Sequence, residues 1–148
     1  MKPRAPAVPA ATDGVAGQLH GVGVDILRVE RMERLLDRHG RRVLVKLLCA
    51  AELREVRART NTARALAMCF AAKEAFVKAL GTGFSGVGYR DAGVIREHSG
   101  RPKLIFSRSM QARLRREGIG AAHLSLSDDG GMVCAYVVLE RARQPDRG

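Results

Sequence analysis

Two carboxylates and one lysine stand out in this sequence because their neighbours are apolar. Asp25 ends the segment GVGVD and is followed by Ile26 and Leu27, and Glu74 lies in the run CFAAKEAFVKAL. Lys78 follows Glu74 by four residues, so the two side chains share one face of a helix. Mg2+ favours one or two carboxylates together with phosphate oxygens, and a lysine serves as a point charge for phosphate. The three residue types therefore suit a site for phosphate chemistry.

Each acid also has a structural explanation that is at least as good when the acid is taken alone. Asp25 would cap the helix that follows it, which is a frequent role of aspartate. Glu74 and Lys78 would form a surface ion pair that contributes roughly a few tenths of a kcal/mol. A carboxylate among apolar residues needs a partner, however, because an unpaired buried charge is costly. Together the residues favour the hypothesis of a phosphate and metal site.

Two further features are less specific. In the segment HLSLS, alternation places His123, Ser125 and Ser127 on one face of a strand, and taken alone this indicates a partly exposed histidine with ordinary hydrogen bonds. The segment GTGFSGVG at residues 81–88 lacks the GK[ST] of a Walker A motif. It predicts either a flexible connection or a backbone that approaches a bulky anionic ligand. No G-x-S-x-G motif is present, which excludes that type of serine hydrolase.

The bulk properties limit the classes of partner. The chain has 148 residues and a formal net charge of +11, which suits one domain whose surface attracts polyanions. Nucleic acid, an anionic membrane, or an acidic protein or phosphorylated ligand would each satisfy that charge. Aromatic residues make up only 4%, which disfavours nucleic-acid stacking, and no apolar run reaches the roughly 18 residues of a membrane span. The widely spaced Cys49, Cys69 and Cys134 predict reduced thiols in a cytoplasmic protein.

The predicted elements place these residues in an α+β fold. Helices are predicted over 28–39, 43–57, 62–80 and 108–117. Strands are predicted over 19–26, 89–96, 103–107, 122–127 and 132–139, with turns at 99–102 and 128–131. The helix over 62–80 has the strongest signal, with Thr62 as its cap and Gly81 as its stop. We expect one domain over 19–140, in which an antiparallel sheet packs on this long central helix, between a flexible tail at 1–18 and a polar tail at 141–148.

Four segments of the sequence resemble the bacterial holo-acyl-carrier-protein synthases, a family of 4'-phosphopantetheinyl transferases. They are GVGVDILRVERM, FAAKEAFVKALGTGF, GRPKL and HLSLSDDGGMVCAYVVLE, which follow one another in the family's order across residues 21–140. The pattern KEA-x-x-KA-x-GTG is the most specific of them. The resemblance implies the 4'-phosphopantetheinyl transferase fold, assembled as a trimer with active sites between neighbouring subunits.

The resemblance also implies a reaction. The family moves the 4'-phosphopantetheine arm of coenzyme A to a serine of an apo acyl carrier protein and releases adenosine 3',5'-bisphosphate. It depends on Mg2+ and serves fatty acid or polyketide biosynthesis. Carried over by position, Asp25, Glu74 and Lys78 become catalytic residues, the two acids as Mg2+ ligands and the lysine at the coenzyme A phosphates. The general base stays open between Glu74, Asp25 and a bound water.

Other positions in these motifs are assigned to binding. The turn Gly81-Thr82-Gly83 would lie near the nucleotide, and His123 would face the coenzyme A phosphates from the adjacent strand region. Arg31 and Arg38 on the first helix would dock the acidic helix of the carrier protein. The expected partners are thus coenzyme A, an acidic acyl carrier protein and further copies of the chain, with no nucleic acid and no membrane.

Two positions depart from the family's pattern. Cys69 stands where the family often has Arg or Lys, so a phosphate or packing contact is either absent or supplied by another residue such as Arg64. Asp128 stands where the family often has a second histidine.

Two alternative functions stay open. One is a basic nucleic-acid-binding domain, favoured by the net charge and by the arginines of the predicted helix that begins at residue 28. The other is a relative with weakened catalysis that only binds carrier protein, and the presence of both Asp25 and Glu74 argues against it.

Overall fold

Ten helices and strands lie between residues 19 and 143, the range that the computed structural model describes. The strands are β1 (Leu19–Arg28), β2 (Ala92–Arg96), β3 (Pro102–Phe106), β4 (Ile119–Asp129) and β5 (Met132–Arg141). The helices are α1 (Val29–His39), α2 (Arg42–Leu47), α3 (Ala50–Arg57), α4 (Thr62–Leu80) and α5 (Arg108–Arg116). The predicted α+β class is confirmed. The predicted tail at 1–18 lies outside the described residues, as do residues 144–148 of the other predicted tail.

The strands form two antiparallel sheets. β5 lies between β1 and β4 in a three-stranded sheet, and β2 pairs with β3 in a separate hairpin. Gly130 and Gly131 join β4 to β5, and their φ values of 55° and 77° suit the two-residue hairpin turn that matches the twist of the strands. The predicted hairpin is confirmed, but its turn is shorter than the predicted 128–131, because β4 continues as far as Asp129.

The longest helix, α4, packs against one face of the three-stranded sheet, which we call the inner face. Its run of Ala and Leu favours a helix, and most of its side chains are buried. Gly81 ends the helix with a left-handed φ of 86°, as predicted. The predicted cap is wrong: Asn61 rather than Thr62 caps the start, because its side-chain oxygen accepts a hydrogen bond from the Arg64 N–H at 3.0 Å. Neither α4 nor any other helix between residues 19 and 143 combines the length and apolar character that a bilayer span requires.

β1 lies so close to α4 that two positions exclude a side chain. A Cβ atom at Gly21 would overlap the carbonyl oxygen of Ala79, and one at Gly23 would overlap that of Ala75. The glycines of the GVGVD segment therefore let the strand backbone lie directly on the helix. Asp25 follows Gly23 by two residues and lies on the same face of the strand, so this contact brings it to the surface of α4.

The single helix predicted over 43–57 is wrong, because the chain divides it into α2 and α3. Leu48 between them is extended, with φ −111° and ψ 138°, and its side chain is buried. The N–H of Cys49 then donates a hydrogen bond to the Glu52 carboxylate at 3.0 Å, which stabilises the first turn of α3. The periodic leucines of this segment fit one helix as well as two, so their spacing does not indicate the break.

Candidate active site

An ion pair joins β1 to α4 at the predicted site. The Lys78 ammonium donates hydrogen bonds to Asp25 Oδ1 at 3.2 Å and to the Val24 carbonyl at 2.9 Å. Asp25 lies inside β1, and the cap position of α1 is occupied by Arg28, so Asp25 is not a helix cap. Among the described residues, Lys78 pairs with Asp25 rather than with Glu74. Both structural explanations drawn from the sequence are therefore wrong.

Glu74 lies on the same helix and is partly buried. Burial raises the pKa of the Glu74 carboxyl above its usual range, the charge of Asp25 raises it further, and the cations Lys78 and Arg31 oppose that shift. The fold thus holds two carboxylates near one another and removes part of their water. An added cation would stabilise these two carboxylates. Carboxylate pairs of this kind are typical of sites that bind metal and phosphate.

The donor chemistry of Asp25 and Glu74 fits Mg2+ better than zinc. Mg2+ takes one or two carboxylates from a protein and completes its octahedral shell with water and substrate phosphate. Zinc sites take more protein ligands, among them histidine or cysteine. Between residues 19 and 143, no group of three or more His, Cys, Asp or Glu side chains is placed to hold a metal ion. The two carboxylates are therefore enough for Mg2+ and too few for zinc.

The turn Gly81-Thr82-Gly83 follows α4 directly, at the same end of the helix as Lys78. The Gly81 N–H donates a hydrogen bond to the Lys78 carbonyl at 3.1 Å, and Gly83 has a φ of 58°, which favours glycine. Thr82 is exposed, and its hydroxyl donates to the Gly83 carbonyl at 3.2 Å. The fold therefore places the predicted nucleotide turn next to the predicted phosphate lysine.

Helix α1 adds a basic surface. Arg31 and Arg38 line one groove of about 250 Å³ together with Leu35. The guanidinium carbon of Arg31 lies 5.4 Å from the centre of the Phe70 ring, in a cation–π contact. Arg31 is also close enough to Glu74 for its charge to lower the pKa of that carboxyl. The two predicted docking arginines thus share one surface, which reaches the edge of the carboxylate pair.

The fold does not bring His123 to these carboxylates within one chain. His123 is exposed on β4, and its Nε2 lies 3.0 Å from Glu140 Oε1. In the strand ladder His123 lies opposite Val138, which lies opposite Val22, so all three share the outer face of the sheet. Asp25 points to α4 from the inner face. Within one chain, His123 and Asp25 therefore lie on opposite faces of the sheet.

The sequence pattern of the 4'-phosphopantetheinyl transferase superfamily matches residues 21–137. The chain belongs to this superfamily. A holo-[acyl-carrier-protein] synthase of Thiobacillus denitrificans is 42% identical to it over 125 residues, which cover 84% of this chain and 95% of the relative. The resemblance drawn from the four sequence motifs is confirmed.

Solved structures of phosphopantetheinyl transferases have the same fold. A holo-[acyl-carrier-protein] synthase from Neisseria meningitidis matches with a TM-score of 0.80 at 35% identity, over 83% of this chain and 99% of that chain. One from Bacillus anthracis, in complex with CoA (3',5'-ADP), matches with a TM-score of 0.70 at 31% identity, over 84% of this chain and 98% of that chain. The predicted transferase fold is thereby confirmed.

Both residues that depart from the phosphopantetheinyl transferase pattern have structural roles. Cys69 is buried, and burial raises the pKa of its thiol, so it is a neutral core side chain and not a phosphate ligand. Arg64 donates to Asp128 through Nε at 2.6 Å and through Nη2 at 2.7 Å, and this bonding lowers the pKa of the Asp128 carboxyl. The bidentate pair ties the start of α4 to the end of β4, and Arg64 is engaged with Asp128 rather than directed to a phosphate.

A buried ion pair beside the site was not predicted from the sequence. Lys73 is 1% exposed and Glu52 is 0% exposed. Lys73 Nζ donates to Glu52 Oε2 at 2.7 Å and to the Ala92 carbonyl, and Glu52 Oε1 accepts the Val94 N–H at 2.9 Å. The pair connects α3, α4 and β2 at the residue that precedes Glu74. Its one signal in the sequence is a lysine inside an apolar run, which does not identify the partner.

Proposed function

We propose that this chain is a holo-acyl-carrier-protein synthase. It transfers the 4'-phosphopantetheine arm of coenzyme A to a serine of apo acyl carrier protein and releases adenosine 3',5'-bisphosphate. The observation that carries the proposal is the cluster of Asp25, Glu74 and Lys78 beside the glycine turn, in a chain that matches the superfamily over residues 21–137. The relatives support the substrates, since they are named for acyl carrier protein and one is described in complex with CoA.

The chemistry is a transfer at phosphorus. The serine oxygen of the carrier protein bonds to the β-phosphorus of coenzyme A, and the bond from that phosphorus to the bridging oxygen breaks. The electron pair leaves with adenosine 3',5'-bisphosphate, and the ammonium of Lys78 stabilises the negative charge that builds up during the reaction. The serine proton passes to Glu74, to Asp25 or to a bound water.

We assign the Mg2+ site to Asp25 and Glu74. When bound, Mg2+ supplies positive charge to the diphosphate oxygens. Lys78 is also available to bind a phosphate of the substrate. The Lys78 side chain is 53% exposed, so its ammonium can turn from Asp25 to a phosphate without becoming desolvated. The two carboxylates have like charges and lie near one another, so a cation bound there would stabilise both.

We propose that the carrier protein docks on α1. Arg31 and Arg38 give the groove a positive charge, and Leu35 between them adds an apolar contact. An acidic amphipathic helix fits such a surface, because its charges meet the arginines and its apolar residues meet the leucine. The net charge of +11 also raises the rate at which an acidic protein associates with this chain. Arg31 lies both in this groove and near Glu74, which supports a docked serine close to the carboxylates.

The outer face of the three-stranded sheet supports a trimer of this chain. Five large apolar side chains on β1 and β5 are between 45% and 63% exposed. They are Leu19, Val22, Val24, Ile26 and Tyr136. An exposed apolar surface of this kind is typical of a protein interface. His123 lies on the same face, so a trimer that buries it would carry His123 to a neighbouring subunit.

The substitution Val22→Lys tests this assembly. We expect the native chain to have the mass of three chains by light scattering, and the variant to have the mass of one, because a lysine would place a charge in the interface. Val45→Lys on α2 is the matched control, since Val45 is 51% exposed and Val22 is 52% exposed. A native chain that is monomeric at micromolar concentration would contradict the trimer.

The reaction itself is tested with apo acyl carrier protein, coenzyme A and Mg2+. We expect the mass of the carrier protein to rise by one phosphopantetheine, and the rise to disappear when a chelator removes the metal. Binding of the carrier protein without a change in its mass would support the weakened relative instead. Tight, sequence-selective binding of an oligonucleotide at physiological salt would support the nucleic-acid alternative.

A further inference from the structure

Arg113 of α5 contacts the glycine-rich loop that follows α4, which we call the nucleotide loop (residues 81–88). Its Nη1 donates hydrogen bonds to the carbonyl oxygens of Ser85 and Gly86, each at 3.4 Å. Its Nη2 donates to the Thr82 hydroxyl, also at 3.4 Å. One guanidinium therefore contacts both the beginning and the later part of the nucleotide loop, and one of its three partners belongs to the turn assigned to the nucleotide.

The nucleotide loop makes few hydrogen bonds of its own, and its apolar anchors are the buried Val87 and Phe84, which contacts Tyr89. Gly81, Gly83 and Gly86 have positive φ values, and a glycine-rich segment loses much conformational freedom when it is ordered. Between residues 81 and 87, the described backbone hydrogen bonds are the cap at Gly81 and one from the Val87 N–H to the Phe84 carbonyl at 3.2 Å. The bonds from Arg113 come from outside the loop, so they tie it to the rest of the fold.

The position of Arg113 is itself fixed. Its Nε donates to Glu117 Oε1 at 2.9 Å, and its side chain is only 19% exposed. The start of α5 is also held, because the Ser107 hydroxyl caps the helix and donates to Asp91 Oδ1 at 2.7 Å. The guanidinium is a planar group with several donors, which suits it to bind more than one acceptor at a time. An ordinary surface pair between Arg113 and Glu117 would not require the contacts to the loop.

We infer that Arg113 is a positioning residue for coenzyme A, which holds the nucleotide loop in the conformation that receives the nucleotide. The identity of this ligand rests on the proposed function. Arg113 acts through Thr82 and the loop backbone, and it makes no described contact with Asp25, Glu74 or Lys78. Its loss therefore weakens the binding of coenzyme A and leaves the chemical step unchanged.

The test compares Arg113→Met with the native chain in steady-state transfer. The KM for coenzyme A rises about 10-fold, because the loop must then be ordered when the ligand binds. The kcat and the KM for carrier protein stay within about twofold. Arg113→Lys gives a smaller rise in this KM than Arg113→Met, because its ammonium still donates to part of the loop. The rise does not vanish, since one ammonium cannot reach all three acceptors. Arg115→Met is the control, because Arg115 is exposed on the same helix and its side chain makes no hydrogen bond among the described residues.

Amide hydrogen exchange of the full chain without ligand tests the loop directly. In Arg113→Met the amides of residues 82–87 exchange at least about 10-fold faster, while those in the centre of α4 do not change. Unchanged exchange in the nucleotide loop would overturn the inference. A loss of kcat with an unchanged KM for coenzyme A would overturn it as well. If the native chain transfers no phosphopantetheine, the proposed function fails, and the exchange rates alone then decide whether Arg113 holds the loop.

Discussion

Glu74→Gln and Asp25→Asn each lower the rate of phosphopantetheine transfer at least about 100-fold, and both variants remain folded. Each substitution removes one negative charge from the pair that we assign to Mg2+, so the cation that stabilises the diphosphate is lost or displaced. The measurement is the mass of the carrier protein over time at saturating Mg2+ and coenzyme A. Transfer at the normal rate by either variant would show that the metal assignment is wrong.

The two variants differ in stability, because the two acids have different partners. Burial and the charge of Asp25 raise the pKa of Glu74 in the fold. The stability that protonation of Glu74 contributes is therefore complete below its pKa in the unfolded chain and is lost as the pH rises through its folded pKa. At neutral pH, Glu74→Gln leaves the metal-free Tm unchanged or raises it. Asp25→Asn weakens the contact with the exposed Lys78 and costs less than about 1 kcal/mol.

Glu97→Gln is the matched control for these substitutions. Glu97 is exposed in the turn between β2 and β3, and its side chain makes no hydrogen bond among the described residues. Mg2+ should raise the Tm of the native chain and of this control, because a ligand that binds the folded state stabilises it. It should not raise the Tm of Glu74→Gln. An equal response of all variants to Mg2+ would place the metal elsewhere.

The long-range partner of Lys78 shows where prediction from the sequence ends. The spacing of Glu74 and Lys78 indicates a local pair on one helix, and the helix is confirmed. The actual partner, Asp25, is 53 residues away and is reached because Gly21 and Gly23 let β1 lie against α4. No local pattern in the sequence identifies α4 as the element that these glycines approach.

The outer face of the sheet shows the same limit of prediction from the sequence. Alternation in HLSLS predicts which side chains lie with His123, and their exposure agrees with that prediction. Alternation does not say which face of the sheet α4 covers, and β1 carries apolar side chains on the face that α4 leaves exposed. A strand that is apolar on its outer face is typical of a surface that packs on a partner molecule, which is the reason that we propose an interface there. This is the physical reason that the trimer was implied only by family resemblance.

Lys73→Met lowers the free energy of unfolding by about 3–5 kcal/mol, the largest effect on stability that we expect. The substitution leaves the Glu52 carboxylate fully buried without its counter-charge, and it removes a donor to the Ala92 carbonyl. Urea denaturation measures the change. Lys78→Met is the matched control on the same helix, since Lys78 is largely exposed, and it should cost less than about 1 kcal/mol while it abolishes transfer.

The double variant Lys73→Met with Glu52→Gln separates the contribution of the charge pair to stability from the contribution of packing. Glutamine keeps a carbonyl oxygen for the Val94 N–H but carries no charge that needs Lys73. We expect the double variant to lose about 1–3 kcal/mol less than the sum of the single variants. Strict additivity would mean that the two charges do not stabilise one another. Since Lys73 immediately precedes Glu74, the same contact anchors α4 next to the residue that we assign to Mg2+.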